Sequence, residues 1–142
     1  MYRKALPRGV MRKNLPIPLQ SRSVAERPDY KSHPLWNEAI SLTHAAYELA
    51  ELVRPADPIT ARHLRRAAVA IPAHVAGALT SDEEGRREHV LTARGALAEI
   101  SRQAGRAEAS ADPATAAALA RRAGALDRAV SLELGPAQGR IS

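Results

Sequence analysis

The chain has no cysteine and no phenylalanine, and its 142 residues include one tryptophan and three tyrosines. Without thiols there is neither a disulfide framework nor a thiolate zinc site, and the redox compartment is left open. With so few aromatics the interior has to be built from Ala, Leu, Val and Ile. That suits closely packed helices better than a β-sandwich, whose strands favour aromatic and β-branched side chains. No apolar run approaches the roughly 20 residues of a membrane span, and the amino-terminal stretch lacks the apolar centre of a secretory signal. A cytoplasmic protein is the expectation. The length fits one domain with a single, efficiently packed core.

Charge is unevenly spread. The net charge is +6, and the excess lies in residues 1–33, where eight basic side chains (Arg3, Lys4, Arg8, Arg12, Lys13, Arg22, Arg27 and Lys31) face only Glu26 and Asp29. The same stretch carries Pro7, Pro16, Pro18 and Pro28 and shows no apolar periodicity, so it reads as a flexible or extended basic tail. Two roles stand open for it. One is an electrostatic arm that touches phosphate or a partner; the other is a solvated leader or a misassigned start, with Met11 as the true initiator.

From residue 34 to 135 four helical patterns follow one another, with residues 136–142 as a short carboxy-terminal tail. In the first, from about Leu35 to Val53, Trp36, Ala39, Ile40, Thr43, Tyr47 and Ala50 form one stripe at helical spacing and Leu35, Leu42, Ala45, Leu49 and Leu52 a second. Together they exceed what one bundle seam needs, which points to oligomerisation. The second helix follows the break at Arg54–Pro58 and turns Leu64, Ala68, Ile71, Val75 and Leu79 inward. Pro72 lies inside it, with no backbone N–H and a ring that crowds the Ala68 carbonyl, at a cost of about 3 kcal/mol in an ordinary helix interior. It is expected to kink or divide the helix, and some contact must compensate for it. The third helix opens with Ser81 as N-cap and Glu84 as capping-box partner, aligns Val90, Ala93, Leu97, Ile100, Ala104 and Ala107, and is expected to reach about Ala109. The fourth opens with Asp112 and Pro113, buries Leu119, Ala123, Leu126 and Val130, and stops before Gly135-Pro136. Short connections between long helices predict an all-α, antiparallel up-down four-helix bundle.

Helical bundles often house metals, but the Glu-x-x-His pairs of a ferritin-like site are missing: Tyr30, Ser41, Thr60, Ile71 and Arg86 precede the five histidines by three positions. His63 and His74 lie on one side of the second helix but about 16 Å apart along its axis, too far to share an ion. Each histidine therefore reads as a surface or bundle-edge residue. There is no phosphate-binding loop, glycine-rich dinucleotide turn or nucleophile elbow, so the expectation is a protein without metal, cofactor or catalysis. What remains is charge on helices. The first helix carries Glu38, Glu48 and Glu51 and no basic residue; the second carries Arg62, Arg65 and Arg66 and no acidic one. The arginines either meet phosphate, which guanidinium binds bidentately, or pair with the carboxylates of the first helix or of a neighbouring subunit.

Three segments in order, LWNEAISLTHAAYELAELV, HLRRAAVAIPAHVA and ARGALAEI, cover about half of the chain, and with them Trp36 to Glu99 resembles the four-helix-bundle family first recognised in intervening sequences of bacterial large-subunit ribosomal RNA genes. The matching positions include Trp36, Tyr47, the Arg65-Arg66 pair, Ile71, Pro72, Gly95 and Glu99. The chain departs from the family pattern where His74 replaces an Asn, Gly77-Ala78 replaces Glu-Gly, His89 stands about where Phe is usual and Ala96 replaces Ser. The resemblance implies a ring-shaped homopentamer and not a catalyst, with an association with ribosomal RNA suggested by gene position. A related bundle, the accessory protein of diversity-generating retroelements, is a basic pentamer that binds a reverse transcriptase and nucleic acid. RNA or DNA, a second copy of the chain and a reverse transcriptase are thus the partners implied.

Overall fold

The computed structural model describes residues 29–136. Four helices, α1 (Pro34–Val53), α2 (Pro58–Thr80), α3 (Glu83–Ala107) and α4 (Pro113–Leu134), form an antiparallel bundle without a strand among the described residues. None of these helices is long and apolar enough to cross a membrane. The connections are short, so each helix packs against the next in sequence, and α4 returns to close against α1.

The core is aliphatic. In α1 the buried seam is Leu35, Ala39, Leu42, Ala46, Leu49 and Val53, with Ala50 beside it. This regular alternation of four- and three-residue steps is the spacing that lets antiparallel helices interdigitate. The seam draws from both stripes seen in the sequence. Trp36, Ile40, Thr43 and Ala45 lie at its half-buried margins, and Tyr47 and Leu52 are 40% and 57% exposed. In α2 the corresponding set is Ala61, Leu64, Ala68, Ile71, Val75 and Ala78, with Leu79 half-buried at its edge. All six inward positions expected for α3 are buried, joined by Gln103, and α4 buries its four expected residues together with Ala116 and Leu134.

The helix ends depart from the sequence expectation by a residue or two. Residues 30–33, which composition groups with the tail, adjoin the bundle: Tyr30–Ser32 form a single 3-10 turn, Tyr30 meets Trp36 edge-to-face with ring centroids 5.5 Å apart, and His33 caps α1 by accepting the Leu35 N–H at Nδ1. Asp82, not Ser81, caps α3. Its carboxylate accepts the Gly85 N–H at 2.9 Å, whereas Ser81 is buried at the end of α2, so the expected Ser81–Glu84 capping box does not form. Helix α3 ends at Ala107 and is about 38 Å long at 1.5 Å per residue.

Pro72 neither divides α2 nor ends it; the helix runs unbroken from Pro58 to Thr80. The carbonyl that Pro72 leaves without its helical donor belongs to Ala68, which is fully buried. Thr43 of α1 supplies the substitute. Its Oγ1 lies 3.1 Å from the Ala68 oxygen and 2.9 Å from the Ala39 oxygen of its own helix, so one hydroxyl proton serves two carbonyls.

Candidate functional site

Helix α2 contains no acidic residue, and three basic side chains, Arg62, Arg65 and Arg66, stand on its outer side. Arg62 and Arg66 are exposed and Arg65 is half-buried, while Leu64, Ala67 and Ala68 on the other side of the helix are buried in the core and fix its orientation. Asp57 secures the start of the same helix by accepting the Thr60 N–H at 3.1 Å and the Thr60 hydroxyl at 2.6 Å. These two bonds, the hydroxyl first, hold the Asp57 carboxyl below its usual range, with a further contribution from Arg106 of α3.

Among the described residues none of Arg62, Arg65 and Arg66 has a carboxylate within 4.0 Å. The carboxylates of α1 are turned elsewhere. Glu38 meets Arg122 of α4 at 3.3 Å, and Glu51 meets Arg54 at the same distance on its own end of the helix. Arg122 also donates to the Ser41 hydroxyl at 2.6 Å, so the acidic side of α1 is knitted to α4 and not to α2. Glu48 lines an open groove of about 320 Å³ between α1 and α4, floored by small side chains such as Ala45, Ala114 and Ala118. The pairing of the arginine cluster with α1 that the sequence left open is not formed within this chain.

Antiparallel packing adds residues that nothing in the sequence groups with the cluster. The carboxy-terminal half of α3 runs beside the amino-terminal half of α2, which brings Arg106 near Asp57 and Glu99 near His63. Glu99 is engaged by Arg102 and by the Gln103 amide at 2.6 Å; with a smaller contribution from the His63 charge, these hold its carboxyl below the ordinary value. Gln103 itself is buried, and its Oε1 has no hydrogen-bond partner. Arg106, whose charge acts on Asp57, has no ion pair among the described residues. The only sequence signal for this juxtaposition is the two-residue connection Ser81–Asp82, which sets the register of the α2–α3 hairpin.

The remaining positions singled out in the sequence have structural surroundings. Ile71 is wholly buried, Pro72 is half-buried, Trp36 packs against the core margin, and Tyr47 and Gly95 are exposed, with open space where a Gly95 Cβ would stand. Arg3, Lys4, Arg8, Arg12 and Lys13 lie outside the described residues. No cluster of three or more His, Cys, Asp or Glu able to hold a metal forms among the described residues. Compared with family models, curated proteins and solved structures, the chain gives no significant match to any of them.

Proposed function

We propose that the protein is a non-enzymatic, homo-oligomeric bundle of the cytoplasm that binds the phosphate backbone of RNA or DNA. The contacts are made by Arg62, Arg65 and Arg66, with Arg3, Lys4, Arg8, Arg12 and Lys13 as a second basic element. The observation that carries this reading is the arginine cluster itself: three guanidinium groups within one and a half turns of a helix that has no acidic residue, none of them neutralised by a carboxylate of the described chain. Guanidinium matches phosphate oxygens in a planar fork, and contacts of this kind position a protein on nucleic acid without reading its sequence.

Self-association is supported by Tyr47 and Leu52 on α1, both exposed apolar side chains; a ring of five is the assembly that the family resemblance implies. Exposed Leu91 of α3 and Leu132 of α4 favour a second reading, a scaffold that docks a protein such as a reverse transcriptase. Changing Arg62, Arg65 and Arg66 together to Gln separates the two. Under the first reading affinity falls by a similar factor for unrelated RNAs and duplexes while oligomer size, measured by sedimentation equilibrium, stays the same. A dissociated oligomer with unaltered nucleic-acid affinity contradicts it and assigns the arginines to a subunit contact.

A further inference from the structure

Three of the positions at which the chain departs from the pattern it resembles, His74, Gly77 and His89, come together in the fold. His74 on α2 and His89 on α3 face one another across the hairpin, with their Nδ1 atoms 2.9 Å apart, ring centroids 5.1 Å apart and planes inclined at 44°. Both are half-buried. The His89 ring rests over Gly77, where a Cβ would stand 2.6 Å from its Cε1 and Nε2, so a side chain at this position would displace the ring. The cations before His89 along α3 are exposed Arg87 and, one turn back, half-buried Arg86, whose Nε donates to the Ala78 carbonyl at 3.3 Å.

We propose that His74 and His89 form a chelating site for a divalent ion that takes imidazole nitrogen in tetragonal geometry, the copper(II) and nickel(II) class. At metal–imidazole distances of about 2.05 Å, two nitrogens 2.9 Å apart subtend about 90° at the ion. That is the cis angle of a square-planar or tetragonal site, the geometry these two ions prefer. A search for ligands along a single helix does not find this pair, because its members come from two helices.

The chemistry is a substitution of ion for proton. In the metal-free pair one Nδ1–H donates to the other Nδ1; in the bound pair both Nδ1 lone pairs point at the ion and each ring carries its proton on Nε2. Above the titration range of histidine the donating ring changes tautomer and no proton is released; at lower pH the ion displaces protons and binds more weakly. Burial, and after it the neighbouring His89, lower the His74 pKa, which favours the neutral form that binds metal. No third ligating side chain joins the two among the described residues, so water completes the coordination.

Titration calorimetry of the full chain with Cu(II) and with Ni(II), near pH 7.5 in a non-coordinating buffer, tests the site. One ion per chain is expected, with at least a tenfold weaker dissociation constant in His74→Gln and in His89→Gln. Gly77→Ala keeps both imidazoles but displaces one ring, and is expected to weaken binding as well. His63→Gln, on the same helix but outside the pair, leaves it unchanged. In the Cu(II) form, nitrogen couplings in the electron paramagnetic spectrum should disappear in either pair variant, with helicity by circular dichroism showing that the fold persists. No saturable binding, or binding unaltered by both pair variants or lost equally in His63→Gln, overturns the assignment.

Discussion

The Thr43 hydroxyl makes Pro72 tolerable, and removing it should expose how much. Thr43→Val is nearly isosteric and deletes the donor that lies 3.1 Å from the Ala68 oxygen. With Pro72 in place that carbonyl then has neither its helical N–H nor a substitute, and Ala68 is wholly buried, so water does not replace it. An unsatisfied buried acceptor costs about 1–3 kcal/mol, and the valine methyl recovers part of that, so a destabilisation of about 1–2 kcal/mol is expected. Pro72→Ala restores the helical donor and relieves the ring clash, offset by about 0.4–1 kcal/mol from the looser unfolded chain. In that background Thr43→Val should cost less than about 0.5 kcal/mol, because the Ala68 carbonyl is already paired. The four proteins of this double-mutant cycle are compared by urea denaturation at one protein concentration. The wild-type-background substitution should lower the midpoint by roughly 0.5–1 M at an ordinary small-domain slope. Additive costs within about 0.3–0.5 kcal/mol would refute the coupling: the hydroxyl would then be serving only Ala39.

Three further outcomes follow from the packing and the proton chemistry. His74 has its pKa lowered, first by burial and then by the nearby His89, so the unfolded chain binds its proton more readily than the folded one. This contribution to stability is fully present above the ordinary histidine value of about 6.5 and is lost as pH falls from there through the lower folded value; urea midpoints should decline over that window, and His74→Gln should flatten the decline. Gln103→Leu removes a buried acceptor without a partner, at the expense of one bond to the half-exposed Glu99; a gain of about 1 kcal/mol in denaturation is expected, and a loss would show that the amide is needed where it is. Asp82→Ala should cost about 1 kcal/mol of stability through removal of the cap on α3, and an unchanged midpoint would assign the cap elsewhere.

Helix α3 is the most legible element because one regular stripe, Val90, Ala93, Leu97, Ile100, Ala104 and Ala107, holds all of its buried apolar residues, with Leu91 the one large apolar side chain off it. In α1 the apolar residues cover two adjacent stripes, and periodicity alone does not say which edge meets the neighbours. The seam therefore takes in Ala46 and Val53, which belong to neither stripe, and leaves Tyr47 and Leu52 exposed. The need for a partner at Pro72 is visible from its chemistry. The identity of that partner is not, since Thr43 is 25 residues before the Ala68 carbonyl it meets and a threonine on a half-apolar helix carries no mark of the bond it will make. The basic character of α2 is plain in Arg62, Arg65 and Arg66, whereas Arg106 and the His74–His89 pair depend on the register of the α2–α3 hairpin. A displacement of one turn there, about 5.4 Å, would separate the imidazoles.

The salt dependence of nucleic-acid binding tests the central proposal most directly. Losing one phosphate partner lowers the slope of log affinity against log salt by about 0.9 on duplex DNA and about 0.7 on a single strand. If Arg62, Arg65 and Arg66 each meet a phosphate, the triple Gln variant should bind with a slope shallower than that of the wild type by about 2–3 on a mixed-sequence duplex. Parallel slopes for the two proteins would contradict the proposal, and with it the assignment of this face of α2 to nucleic acid.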